Sequence, residues 1–208
     1  MSKVLYITAN VKPLQDSFSL TVGEAFIEEY KKTHPNDEVT YLDLFKNDIP
    51  FLDETLIGYM YRQIDENALD AKHTAQVKVM EQILAQFVDS DKYVFATPMW
   101  NLGVPPVVKA YFDNVAVVGK TFKYTEHGSV GLLDGKKAMC IQASGGYYSS
   151  GPAATMAHGI SYIKSMLSFF GVSALSEILI EGTNVQTNDM EQIGQEAVSK
   201  AKTAAAAF

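Results

Sequence analysis

The sequence predicts a three-layer α/β/α fold built on a five-stranded parallel sheet. Three observations predict it. Five short β-rich apolar runs recur along the chain, longer segments of helical period alternate with them, and 208 residues at 47% hydrophobic and 20% charged content suffice to bury a substantial core. Strands separated by helical crossovers pair in parallel. Because such crossovers are right-handed, the helices are distributed over both faces of the sheet. Residues 1–208 are therefore expected to form one domain.

The strand-like runs are KVLYIT (3–8), EVTYLDL (38–44), KYVFAT (92–97), KAMCIQA (137–143) and SALSEILIE (173–181). Between them, segments 17–32, 71–88, 104–115 and 155–170 carry apolar residues at i, i+3 and i+4, and a closing helix is expected over 189–207. Two excursions interrupt the alternation. Residues 45–70 mix Tyr, Met and acidic side chains, whereas 119–136, with GKTFKYT and VGLLDGKK, suggest a hairpin. Excursions of this kind usually shape a site or an interface. No internal repeat or linker is visible, and the Ala-rich end reads as plain helix.

Charge and composition exclude several function classes. With 17 basic against 24 acidic residues the net charge is -7, so the field of the whole chain repels phosphate backbones and anionic lipid; neither nucleic acid nor a membrane is an expected partner. The longest uncharged run, 93–108, is broken by Pro98, Asn101, Gly103, Pro105 and Pro106, which a membrane-spanning helix tolerates poorly. The apolar stretch Val4 to Ile7 is too short for a signal-peptide core, and a cytoplasmic location is expected. The single cysteine, Cys140, cannot form an internal disulfide and is expected to be a buried, inert thiol. His34, His73, His127 and His158 have no ligand-like spacing with one another or with Cys140, so no metal is expected. A serine hydrolase is disfavoured too, because no G-x-S-x-G elbow is present.

In open α/β sheets ligands collect outside the carboxyl ends of the strands, which directs attention to three loops. The first, ANVKPLQDSFSLT, lacks both the G-x-G-x-x-G and the G-x-x-x-x-G-K-[ST] patterns of dinucleotide and P-loop sites. It offers instead Ser17 and Ser19 at the mouth of a helix, where two hydroxyls, unpaired N–H groups and a positive dipole end suit a phosphate monoester. A serine before a helix is usually only an N-cap. The second loop, PMWNLG, holds Met99, Trp100, Asn101 and Leu102. Its tryptophan is either a core anchor under the next helix or one wall of a site for a flat heteroaromatic ring, whose edge Asn101 and backbone N–H groups would meet. The third, ASGGYYSSGP, places Ala143 and Ser144 before the paired glycines Gly145 and Gly146, which suit either a close approach to a ligand or a tight turn.

The ordered set PMWN, KAYFDNV, GKTFKYT, GLLDGKK and ASGG resembles the FMN-dependent NADH-azoreductases, a flavodoxin-like quinone reductase family, from Lys3 through the final helix. The resemblance implies non-covalent FMN, with the phosphate at Ser17, Phe18 and Ser19. It places the isoalloxazine against Met99, Trp100, Asn101 and Leu102 and against Ala143, Ser144, Gly145 and Gly146. It further implies a homodimer with active sites at the interface, and Tyr124 and Phe169 match aromatic positions that face the substrate pocket in relatives. NADH would reduce the flavin, and quinones, azo dyes or nitroaromatics would reoxidise it at the same face, which implies ping-pong kinetics. Quinones take two electrons, whereas an azo bond needs two cycles to reach two amines. Tyr124 is the first residue to test as proton donor or ring-stacking group; no catalytic residue is assigned.

The chain departs from that pattern at three places. Relatives commonly carry serine where Asn10 stands, and many carry arginine near Val117 and at Ser144, so the choice between NADH and NADPH stays open, with Arg62 a candidate for a basic contact. Magnitudes favour a ring-binding role for the second loop. Each charge-assisted hydrogen bond to a phosphate is worth roughly 1.5 to 3 kcal/mol, whereas micromolar binding needs about 8 kcal/mol after ordering costs. Burial of the ring on Met99 and Trp100 must supply much of the difference. The alternative on the same fold is a non-enzymatic flavodoxin-type electron carrier, although such carriers are shorter and lack the 119–136 hairpin.

Overall fold

The computed structural model describes residues 1–208. Its seven strands are β1 (Lys3–Thr8), β2 (Glu38–Asp43), β3 (Lys92–Pro98), β4 (Phe122–Thr125), β5 (Gly128–Gly131), β6 (Lys137–Ala143) and β7 (Ala174–Ile180). Five of them form one all-parallel sheet in the order β2-β1-β3-β6-β7, while β4 and β5 pair with each other as an antiparallel hairpin. The helices are α1 (Phe18–Thr33), α2 (Glu54–Met60), α3 (Ala71–Asp89), α4 (Pro106–Val115), α5 (His158–Phe169) and α6 (Met190–Ala207).

Successive side chains of a strand point to opposite faces, and here both faces are buried. On β1, Val4 and Tyr6 join α1 and α6 in one core, whereas Leu5 and Ile7 join α3, α4 and α5 in the other. This two-sided burial is why the strands read as continuous apolar runs. Each fully buried Leu, Ile or Phe contributes roughly 1.5–3 kcal/mol, so the strand runs supply the main cohesion of the fold. Helix α1 presses close to the sheet at Gly23, where an added Cβ would stand 2.8 Å from the Ala96 Cβ.

Helix boundaries shift from the expected ones for local reasons. Val104 and Pro105 each precede a proline and are pushed out of helical conformation, so α4 starts at Pro106 rather than at 104. The segment expected as one helix over 155–170 divides into a 3-10 turn, Pro152–Met156, and α5. The His158 N–H donates to the Leu102 carbonyl at 2.9 Å and so does not continue the preceding turn.

Both excursions are ordered. Within 45–70, α2 packs Leu56 onto Val77 and Met80 of α3. Asp53 and Asp70 cap α2 and α3, and the His73 ring lies between the two carboxylates at 3.1 and 2.8 Å. Over 119–136 the expected hairpin is present, seated where a Cβ on Gly131 would overlap the backbone of Phe170 and Gly171. Cys140 is buried, and burial pushes its thiol up to about 12, consistent with an inert side chain. No helix is long and apolar enough to cross a membrane.

Candidate active site

The chain leaves β1 for α1 on one face of the sheet and leaves β3 for α4 on the other, which opens a crevice between the carboxyl ends of these adjacent strands. The expected loops meet around that crevice. A cavity of about 230 Å³ is lined by Ser17, Phe18 and Ser19, by Met99 and Trp100, and by Ala143 and Gly145. Asn101, Leu102, Ser144 and Gly146 belong to the same loops without lining it.

At the first loop Ser17 is the N-cap of α1, so the simpler reading of that serine holds, and it does not exhaust the residue. Its Oγ accepts from the Leu20 N–H at 3.3 Å and from Asn10 Nδ2 at 2.8 Å, which engages both lone pairs. The hydroxyl proton is therefore left to donate. It faces Ser19 Oγ at 3.2 Å, a hydroxyl wholly buried in the first turn of a 16-residue helix. Two hydroxyl donors at a helix N-terminus form an anion cradle. Lys12 and Asp16, also in the wall, offset each other in charge. The Asn10 amide, where relatives of the resembled family carry serine, thus orients Ser17 here.

The second loop is a tight reversal. Trp100 and Gly103 exchange backbone hydrogen bonds at 3.0 Å, and the two residues between them have positive φ, 47° at Asn101 and 70° at Leu102. Both central residues in left-handed conformation make a type I′ turn, which a leucine adopts only at a cost of about 1–2 kcal/mol. Strain of this kind marks a geometry that the surroundings enforce. The turn holds Trp100 half-buried on the cavity wall, tilted against Phe45 at 5.8 Å, and outside the two main cores. The core-anchor reading is thereby excluded.

The third loop is clamped to a fourth that the sequence reading passed over. Asn184 N–H donates to the Gly145 carbonyl at 3.0 Å, and Gly182 N–H to the Gly146 carbonyl at 3.1 Å. Thr183 and Asn184 complete the cavity wall. The available signal was the Gly182-Thr183-Asn184 stretch at the carboxyl end of the last strand, the same edge as the other loops. Neither Gly145 nor Gly146 has a positive φ. Gly145 is required because a Cβ would stand 2.7 Å from Asn184 Nδ2, whereas a Cβ on Gly146 would meet only the Tyr148 ring at 3.3 Å. The N–H groups of both glycines have no acceptor within the protein.

Tyr124 and Phe169 are brought together, but away from the cavity. Both rings pack on Phe122, at 5.5 and 4.6 Å between centroids, and Tyr124 is 71% exposed. Val118 and Val130 are exposed as well.

The donor set fits a flavin mononucleotide: hydroxyls and a helix start for a phosphate, an aromatic and a thioether for a ring, and unpaired N–H groups for a polar ring edge. A family model described as flavodoxin-like fold matches residues 2–204. An FMN-dependent NADH:quinone oxidoreductase of Bacillus velezensis is 46% identical over 100% of both chains. Among solved structures, an azoreductase from Bacillus anthracis superposes with a TM-score of 0.92 at 38% identity, covering 100% of both chains. An FMN-dependent NADH-azoreductase from Bacillus anthracis, in complex with FMN, superposes at 0.91 with 32% identity, covering 100% of this chain and 99% of that one.

Proposed function

The chain belongs to the family of the flavodoxin-like fold, and from that premise we propose that it is an FMN-dependent oxidoreductase that takes hydride from NADH and reduces quinones and aromatic azo compounds. The observation that carries the reading is the convergence of the first three loops and the Thr183–Asn184 turn on one cavity at the switch point of the sheet. Bound FMN would supply the redox chemistry, a two-electron relay between NADH and the acceptor. An azo bond, which must be cleaved to two amines, consumes two such turnovers.

The residues of the chain bind and orient. Ser17 and Ser19 hold the phosphate, helped by the opening N–H groups of α1. Met99 and Trp100 would form the shelf for the isoalloxazine, and the free N–H groups of Gly145 and Gly146 would offer donors to its polar edge. Phe18, Asn101, Leu102, Ala143 and Ser144 complete and support these loops. Residues 1–208 act as one domain, in the cytoplasm. The aromatic cluster of the exposed Tyr124 and the half-buried Phe169 supports a homodimer, since in a single chain it stands off the cavity and a second copy would bring it to the substrate pocket.

Purified protein should show flavin absorption that bleaches on anaerobic addition of NADH and returns when a quinone is added. Colourless protein that FMN fails to reconstitute would remove the assignment. Flavin bands indifferent to NADH would favour a simple electron carrier.

A further inference from the structure

The polar edge of a flavin ring carries a carbonyl, an imide N–H and a second carbonyl in a row. A wall made only of N–H donors would match the two carbonyls and leave the imide proton without an acceptor, which is costly once the edge is out of water.

The third loop does not supply that acceptor. Its carbonyls are turned toward the fourth loop: Ser144 accepts from Thr183 N–H and Oγ1 at 3.2 and 3.0 Å, Gly145 from Asn184 N–H at 3.0 Å and Gly146 from Gly182 N–H at 3.1 Å. The Ala143 carbonyl accepts from Met99 N–H at 2.7 Å. Two side-chain amides stand on the cavity wall, and they differ. Asn10 is committed at both ends, its Nδ2 donating to Ser17 Oγ at 2.8 Å and its Oδ1 accepting from Lys12 N–H at 3.1 Å. Asn184 is exposed on the wall, and only its backbone N–H is engaged; its carboxamide has no partner in the chain. The carboxamide is nevertheless held in place. It lies along Gly145, where an added Cβ would stand 2.7 and 3.1 Å from its Nδ2 and Cγ. The turn that carries it is pinned as well, since the Gly182 carbonyl accepts from Val185 N–H at 3.1 Å and from Asn188 Nδ2 at 2.9 Å. An acceptor and a donor are thus set alongside Gly145, whose own N–H is free.

We propose that Asn184 is a specificity-determining residue for the flavin and reads its imide edge. Its Oδ1 accepts from the ring N3–H and its Nδ2 donates to one adjoining carbonyl, which leaves the other carbonyl to the Gly145 N–H. The assignment rests on the FMN reading and gives the fourth loop a part in choosing the cofactor.

The test titrates flavin-stripped protein with FMN and with 3-methyl-FMN, in which a methyl group replaces the imide proton, and reads binding from flavin fluorescence. The parent should prefer FMN by roughly tenfold, because the methyl group faces Oδ1. Asn184→Leu keeps the backbone N–H; it should weaken FMN roughly five- to twentyfold, the worth of one or two neutral hydrogen bonds, and hold 3-methyl-FMN within about twofold, so the preference collapses. Asn184→Ala, which eases the contact with Gly145, should do the same and separates the lost amide from any strain introduced by leucine. A merely structural role would weaken both flavins alike. Equal loss of the two, or a preference for FMN that survives in both variants, would overturn the assignment and leave FMN binding in place. A parent that takes up neither flavin would overturn the assignment and the FMN reading together.

Discussion

Ser17 combines two duties that a substitution separates. Its Oγ caps α1 through Leu20 and, with Asn10 occupying its other lone pair, keeps a proton to donate beside Ser19 on the cavity wall. Ser17→Ala should lower the stability of FMN-free protein by about 1 kcal/mol through the lost cap, read from a denaturant melt. It should also weaken FMN by roughly 10- to 150-fold through a lost charge-assisted bond, read by fluorescence titration. Weakened FMN binding alone would show that the cap is dispensable. The paired glycines separate in the same way. Gly145→Val should push the Asn184 side chain out of place and strip most of the FMN from purified protein, whereas Gly146→Ala, facing the edge of one ring, should keep FMN affinity within about twofold of the parent. The dipeptide GG was legible as a place where backbone matters. Which of the two glycines is constrained was not, because the constraint comes from Asn184, 39 positions along the chain.

Elements in regular positions were legible because their pattern is local. Five apolar runs and their helices follow from period and burial, and the hairpin follows from the runs GKTFKYT and VGLLDGKK. Helix α2 was not legible: its seven residues are too few for a period to emerge, and they are held by packing on α3 and by an aspartate cap. That cap belongs to a small electrostatic joint. His73 stands between Asp53 and Asp70, whose hydrogen bonds raise its pKa above the ordinary 6.5. A group whose pKa is raised on folding binds its proton more tightly in the native state, so its stabilisation is complete below the unfolded value and fades as pH climbs through the folded one. The melting temperature of the parent should therefore exceed that of His73→Gln most clearly near about pH 6, and the gap should narrow toward about pH 9. A gap independent of pH would mean that packing, not charge, holds α2 to α3. Native-state hydrogen exchange in α2 should follow the same trend.

At the scale of the whole molecule, the strand order β2-β1-β3-β6-β7 decides where chemistry is possible, since only the crevice beside β1 and β3 lies between oppositely directed connections. The sequence indicated this edge through three loops; the fourth, Thr183 and Asn184, is marked only by its place at the carboxyl end of the last strand. Assembly is the other property at this scale. The protein should sediment at twice the 22.9 kDa chain mass at micromolar concentration. Tyr124→Ala should keep FMN content while lowering kcat/KM for a quinone by roughly two- to tenfold, the worth of one aromatic contact. A monomer with full activity would remove Tyr124 from the substrate pocket. The rim itself continues the sheet beyond its strands: Leu44 N–H donates to Thr8, Met99 to Ala143 and Ser144 to Ile180, at 2.9, 2.7 and 2.8 Å. A groove cross-stitched by such bonds exists before anything enters it, so no segment has to condense around the incoming molecule. Capture should then be a single collision event, its observed rate climbing in direct proportion to added FMN with no plateau.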